Sequence, residues 1–182
     1  MRMILAATLS IAAFMLAPAP TRAAGSDDSE PPTPTETTTE CEKSEVWDEK
    51  TKACIKAEDS SLNDDQRFGA VRELAYANRY DEALKVLATM TEGDTSRVMT
   101  YRGFLLRQTG RIEEGIAAYE RAIALNPQNI LARSYYGQLL VQMDELHLAQ
   151  VQLDAIRAAD GAGTWAETSL AKAITTGVTY TY

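Results

Sequence analysis

Histidine, cysteine and basic residues are all scarce in this chain, and each scarcity narrows what it can be. There is one histidine among 182 residues. His147 stands between Leu146 and Leu148 with no second histidine or carboxylate at ligand spacing, so it reads as an ordinary surface histidine. The two cysteines, Cys41 and Cys54, are too few for a tetrahedral metal site and, once oxidised, offer no nucleophile. Lys and Arg number 18 against 26 Asp and Glu, which disfavours nucleic acid or an anionic membrane surface as a partner. No glycine-rich phosphate loop occurs. The acid pairs Asp64–Asp65 and Glu113–Glu114 fall where helices are expected to begin, and capping and dipole complementarity account for them. No catalytic residue, metal site, cofactor or enzymatic activity is expected.

Long apolar runs are also lacking, with one exception. Met3 to Leu16 is a stretch of about 14 apolar and small residues, shorter than the ~20 that a spanning helix needs. Arg2 precedes it, Pro18 and Pro20 break it, and the small residues Ala23 and Ala24 follow. That order predicts a secretory signal over 1–23, cleaved after Ala23 or Ala24. The mature chain is then soluble and inserts in no membrane. It is periplasmic if the source is a Gram-negative bacterium and secreted otherwise.

Residues 24–40 are acidic and rich in proline and threonine, with nothing to bury, and predict a disordered spacer. Residues 41–63 come next. In an oxidising compartment Cys41 and Cys54 pair, and closing a loop of about 14 residues constrains the unfolded chain by roughly 3 kcal/mol in the entropy model. Val46-Trp47 and Ala53-Cys54-Ile55 flank a polar turn, which predicts a small β-hairpin that needs support from elsewhere. Trp47 packs on the disulfide or the first helix, or else stacks on a sugar, which would make the protein a glycan binder of the cell envelope. Lys56 to Asn63 reads as a polar connector.

From Asp64 the pattern turns helical and repeats. Asp64–Thr95, Ser96–Asn129 and Ile130–Gly163 superpose, the middle one with a period of 34 residues. In that middle unit Gly103 permits a close helix approach, Gly110 ends a first helix, and Pro127 stops the second. Ile112, Ile116, Tyr119, Ala122 and Ile123 form the buried stripe of the second helix. Ala83, Gly115 and Ala149 are small residues at one equivalent position, where two helices would cross. Thr164 to Ile174 predicts a capping helix with Trp165 and Leu170 turned inward, and 175–182 a loose tail.

The strings Tyr80-Asp81-Glu82-Ala83-Leu84 and Gly103…Gly110-Arg111…Tyr119…Ala122…Asn126-Pro127 resemble tetratricopeptide (TPR) repeats, and the likeness covers about residues 64–163. The layout of signal, acidic spacer, disulfide hairpin and repeats looks like a group of exported bacterial TPR proteins. The first unit departs from the pattern with Val71 in place of the glycine, and the third has Gly161 in place of the closing proline. The implied fold is all-α: a solenoid of about three helical hairpins and a capping helix over 64–174, preceded by the small disulfide-bonded β-hairpin. The implied function is a protein–protein interaction scaffold that takes a protein or peptide into its concave groove, with weak self-association through the ends a further possibility. Carried over by position, the groove residues are Phe68, Arg72, Tyr76, Arg97, Thr100, Phe104, Arg107, Gln108 and Gln138. Arg97 and Arg107 either hold a peptide carboxylate or pair with the chain's own acids.

Overall fold

The structure, a computed structural model, describes residues 35–180. The expected signal over 1–23 and the spacer as far as Pro34 lie outside the described residues. The chain then builds a two-stranded ribbon, β1 (Glu45–Asp48) and β2 (Ala53–Lys56), paired antiparallel with Trp47 opposite Cys54. The Asp48 carboxylate folds the connecting turn. It accepts hydrogen bonds from the Thr51 hydroxyl (2.8 Å) and from the Thr51 and Lys50 N–H groups. The Thr51 hydroxyl contributes most to holding this carboxyl below its ordinary value, against a partial offset from burial. Cys41 and Cys54 are bonded, with Cα atoms 5.4 Å apart. Side chains alternate along a strand, so Val46 and Asp48 turn inward while Trp47 shares the other face with Cys54.

Residues 35–40 depart from the disordered spacer expected to reach Glu40. A turn forms at Glu36–Glu40, and Thr37 is buried. The Thr37 hydroxyl accepts the Trp47 N–H at the free edge of the ribbon (3.0 Å), and Thr35 gives its N–H (2.7 Å) and hydroxyl to the Glu73 carboxylate. An open strand edge and a buried carboxylate both require partners, and this segment supplies them.

Seven helices follow: α1 (Asp64–Tyr76), α2 (Tyr80–Leu87), α3 (Ser96–Gln108), α4 (Ile112–Leu125), α5 (Ile130–Gln142), α6 (Leu146–Ala158) and α7 (Trp165–Thr176). They pair as three antiparallel hairpins with α7 as the cap, as the repeat pattern predicts. The hairpin turns are the same device three times over. Asn78, Gly110 and Asp144 take left-handed backbone (φ 60°, 79° and 61°). The next N–H reaches back to a leucine carbonyl at 2.8 Å in each: Arg79 to Leu74, Arg111 to Leu106 and Glu145 to Leu140. Asn, Gly and Asp are the residues that enter this region at least cost. At the other end of the first helices Asn63, Thr95, Asn129 and Thr164 cap α1, α3, α5 and α7 through their side chains.

The helix crossings use the small residues expected of them. A Cβ on Gly103 would stand 2.7 Å from the ring of the fully buried Tyr119, and one on Gly115 3.2 Å from the Gly103 carbonyl oxygen. Ala83 and Ala149 are fully buried at the equivalent places. The core has two parts. One runs from Val46 of the ribbon through α1–α4 into α5; the other holds Leu140, Leu153, Ile156 and Leu170 between α5, α6 and α7. Among the described residues no helix is long and apolar enough to cross a membrane.

Two arginines fasten the ribbon to the first hairpin. Buried Arg67 donates to the carbonyls of Ala57, Asp59 and Leu62, each at 2.8 Å, and so shapes the connector expected to be merely polar. Arg79 donates to the Lys43 carbonyl (3.0 Å) and pairs with Glu82 (2.7 Å). Guanidinium suits such multiple acceptors because its five donors sit in a rigid fork.

Candidate functional site

The first helices α1, α3, α5 and α7 pack directly on one another, whereas α2, α4 and α6 pack chiefly on first helices. A layer drawn together on one side curves the array with the first helices inside. That inner face is the surface to which the expected groove residues belong.

The floor of this face is aromatic and closed. Phe68 and Tyr101 meet edge to face at 5.1 Å, Phe104 and Tyr135 lie 4.9 Å apart, and Trp165 meets Tyr135 at 5.8 Å. Such pairs are favoured by ring quadrupoles, and here they join four consecutive first helices. Phe68 and Phe104 are therefore buried, and so are Thr100 and Gln138. Thr100 accepts from Asn129 Nδ2 (3.0 Å), which also donates to Ser96 Oγ (2.8 Å). Gln138 lies beside the Ser134–Ser169 hydroxyl pair. These four of the nine groove residues face a neighbouring helix because the first helices approach so closely.

The groove arginines Arg97 and Arg107 are engaged internally. Arg97 forms a two-point bond with Glu92 (2.8 and 2.9 Å), pairs with Asp65 at 2.8 Å and lies 4.8 Å over the Phe68 ring. Its proton is held more tightly than usual, chiefly by the Glu92 hydrogen bonds and further by Asp65, with burial opposing. Arg107, 6% exposed, gives its Nε–H to Gln142 Oε1 (2.8 Å) and an Nη1–H to the Tyr135 carbonyl. Arg97 thus pairs with the chain's own acids, whereas Arg107 is held by an amide and a backbone carbonyl. Arg72 is half-buried with its Nε–H on the Tyr101 hydroxyl (3.2 Å), Gln108 is half-buried, and Tyr76 is 51% exposed.

The tail expected to be loose lies on this same face. Gly177 turns the chain in left-handed backbone (φ 71°) as α7 ends, and residues 178–180 run back over α5. Gln142 Nε2 donates to the Thr179 hydroxyl (2.9 Å), and the Tyr180 N–H donates to Gln138 Oε1 (2.6 Å). The Lys172 ammonium stands 4.6 Å from the centre of the Tyr180 ring. Gln142 thus links Arg107 on one side to the tail on the other.

Elsewhere, His147 is exposed at the start of α6. Trp47 is half-buried, and its indole N–H is buried with no acceptor among the described residues. Position within the repeat puts Gln142 on the groove at the register of Gln108, but sequence reasoning gave it none of the contacts it makes. It also missed Asp64. That carboxylate accepts the Thr91 and Glu92 N–H groups (2.9 and 2.6 Å) and so closes the passage between the first two units.

Comparison with protein families matches residues 103–144 to the model described as TPR repeat, a segment that runs from Gly103 in α3 through α4 and α5 to the turn at Asp144. Comparison with curated proteins and with solved structures returns no match. TPR repeats are in general protein–protein interaction modules and typically form non-enzymatic scaffolds. The repeated turns, the small residues at the helix crossings and the family match agree over one stretch: residues 103–144 are similar to a tetratricopeptide repeat, and the same hairpin turn recurs before that stretch and at its end.

Proposed function

We propose that the protein is an exported scaffold that binds a partner protein or peptide along the inner face of α1, α3 and α5. The observation that carries this reading is that the inner face of α5 already takes up polypeptide, by an amide acceptor for a backbone N–H and an amide donor for a side-chain hydroxyl. Recognition of extended chains rests on such backbone contacts, with side chains setting selectivity. Towards α1 the face continues through Gln108, Arg72 and exposed Tyr76, and aromatic and arginine residues are those that dominate interface energetics. Export is supported by the Cys41–Cys54 bond, which persists in oxidising compartments. Self-association through the ends has less support, because Val46, Ala57 and Leu62 pack into the core at the α1 end.

The test is site-specific photocrosslinking in the source cells. A photoreactive residue at Gln108 should yield adducts with a discrete partner, whereas one at His147, on the outer helix α6, should yield none. Adducts from His147 alone, or equal yields from both, would overturn the inner-face assignment.

A further inference from the structure

The contacts of residues 178–180 have the form of a bound ligand. Thr179 gives its side chain and Tyr180 its backbone N–H to two glutamines that sit one helical turn apart on α5. The Tyr180 ring lies against Lys172 of α7, and its hydroxyl is 3.4 Å from Thr176 Oγ1. Tyr180 also packs on the α5–α7 core, while Val178 beside it is 56% exposed. Both glutamines are held ready from behind: Gln142 receives the Arg107 guanidinium, and Gln138 is anchored on Ser134. A slot whose acceptor and donor are fixed by the protein binds at a reduced ordering cost.

We propose that the slot between α5 and α7 is a peptide subsite for an extended segment with a hydroxyl residue followed by an aromatic one, and that Thr179–Tyr180 fills it until a partner segment displaces them. The proposal rests on the inner face being the binding face. It adds the chemistry of the partner and a competitor built into the chain. Gln142 reads the hydroxyl, Gln138 the following N–H, and Lys172 the face of the ring. The tail is joined to α7 by a single turn at Gly177, so its effective concentration at the slot is on the order of millimolar. A free segment of similar intrinsic affinity must compete against that.

The probe is a fluorescent peptide of the sequence Gly177–Tyr182, titrated into the full chain by anisotropy. Against the unaltered protein it should bind weakly. Against Thr179→Ala/Tyr180→Ala, which empties the slot, it should bind about tenfold more tightly. Adding Gln142→Ala to the emptied variant should remove that gain, while the circular dichroism of the array stays unchanged. A peptide in which Tyr180 is replaced by alanine should bind the emptied variant poorly. Equal binding to the unaltered and emptied proteins would overturn the proposal. So would the absence of binding to a folded emptied variant, since residues 178–180 would then be permanent packing. This failure is separable from that of the broader reading. Crosslinks from Gln108 with no peptide binding condemn the slot alone, and peptide binding without Gln108 crosslinks condemns the wider groove alone.

Discussion

Gly103 is a residue defined by its neighbour, because the space its Cβ would take belongs to the ring of Tyr119. Gly103→Ala should lower stability by about 1–3 kcal/mol, the usual cost of overpacking, whereas Gly69→Ala, which meets nothing within 4 Å, should be neutral or slightly stabilising. Paired denaturant titrations decide this, and equal midpoints would refute it. Asp64 makes the complementary case for charge. Burial alone would raise its carboxyl, but hydrogen bonds from Thr91 and Glu92, with Arg67 nearby, hold it below its ordinary 3.8. A lowered folded value means stability that is fully present above 3.8 and is lost as pH falls through the folded value. Asp64→Asn should therefore cost about 1–3 kcal/mol at neutral pH, and its deficit against the parent should shrink below pH 3.8. A deficit independent of pH would show that the hydrogen bonds, not the charge, carry the effect. The roles of Gly103, Ala83 and Ala149 were legible in sequence, because small residues at crossings recur with the repeat. Those of Asp64, Arg67 and Arg79 were not. Their partners are chiefly backbone groups in loops and turns, which bear no side-chain signature.

At the scale of elements, the helix boundaries were readable because the same turn is spelled with Asn, Gly or Asp at matching positions. The ribbon was readable as a hairpin but not in its orientation. Of the places open to Trp47, strand alternation puts it on the face of Cys54, beside the disulfide, and leaves Val46 to face the first helix. The turn at 36–40 escaped notice because the threonines of residues 35–40 look the same whether they face water or Glu73. The disulfide should matter most to this end of the molecule. Cys54→Ser should weaken the ribbon by about 3 kcal/mol in the entropy model. In a Trp165→Phe background, Trp47 fluorescence should then change at lower denaturant than helical circular dichroism. Coincident transitions at the parent's midpoint would show that the ribbon does not depend on the bond.

For the whole molecule, the divided core sets how it opens. Repeat arrays hold together through nearest-neighbour interfaces, and here the two core clusters meet at α5. Native-state hydrogen exchange should resolve α6–α7 as one cooperative unit that opens at lower free energy than α3–α4. Uniform opening energies across α1–α7 would contradict this. The inner face was legible as a face but not in its depth. Position within a repeat tells which way a residue points, while the closeness of the neighbouring helix decides whether Phe68, Thr100, Phe104 and Gln138 remain open.

The ribbon at one end and α7 at the other give the array a fixed measure. Four first helices at roughly 9 Å intervals span about 27 Å, and an extended chain advances about 3.3 Å per residue. The inner face is thus a gauge for a segment of about eight residues. While Thr179 and Tyr180 rest on its last interval, that gauge is shortened by about a third, and a partner that evicts them gains length as well as contacts.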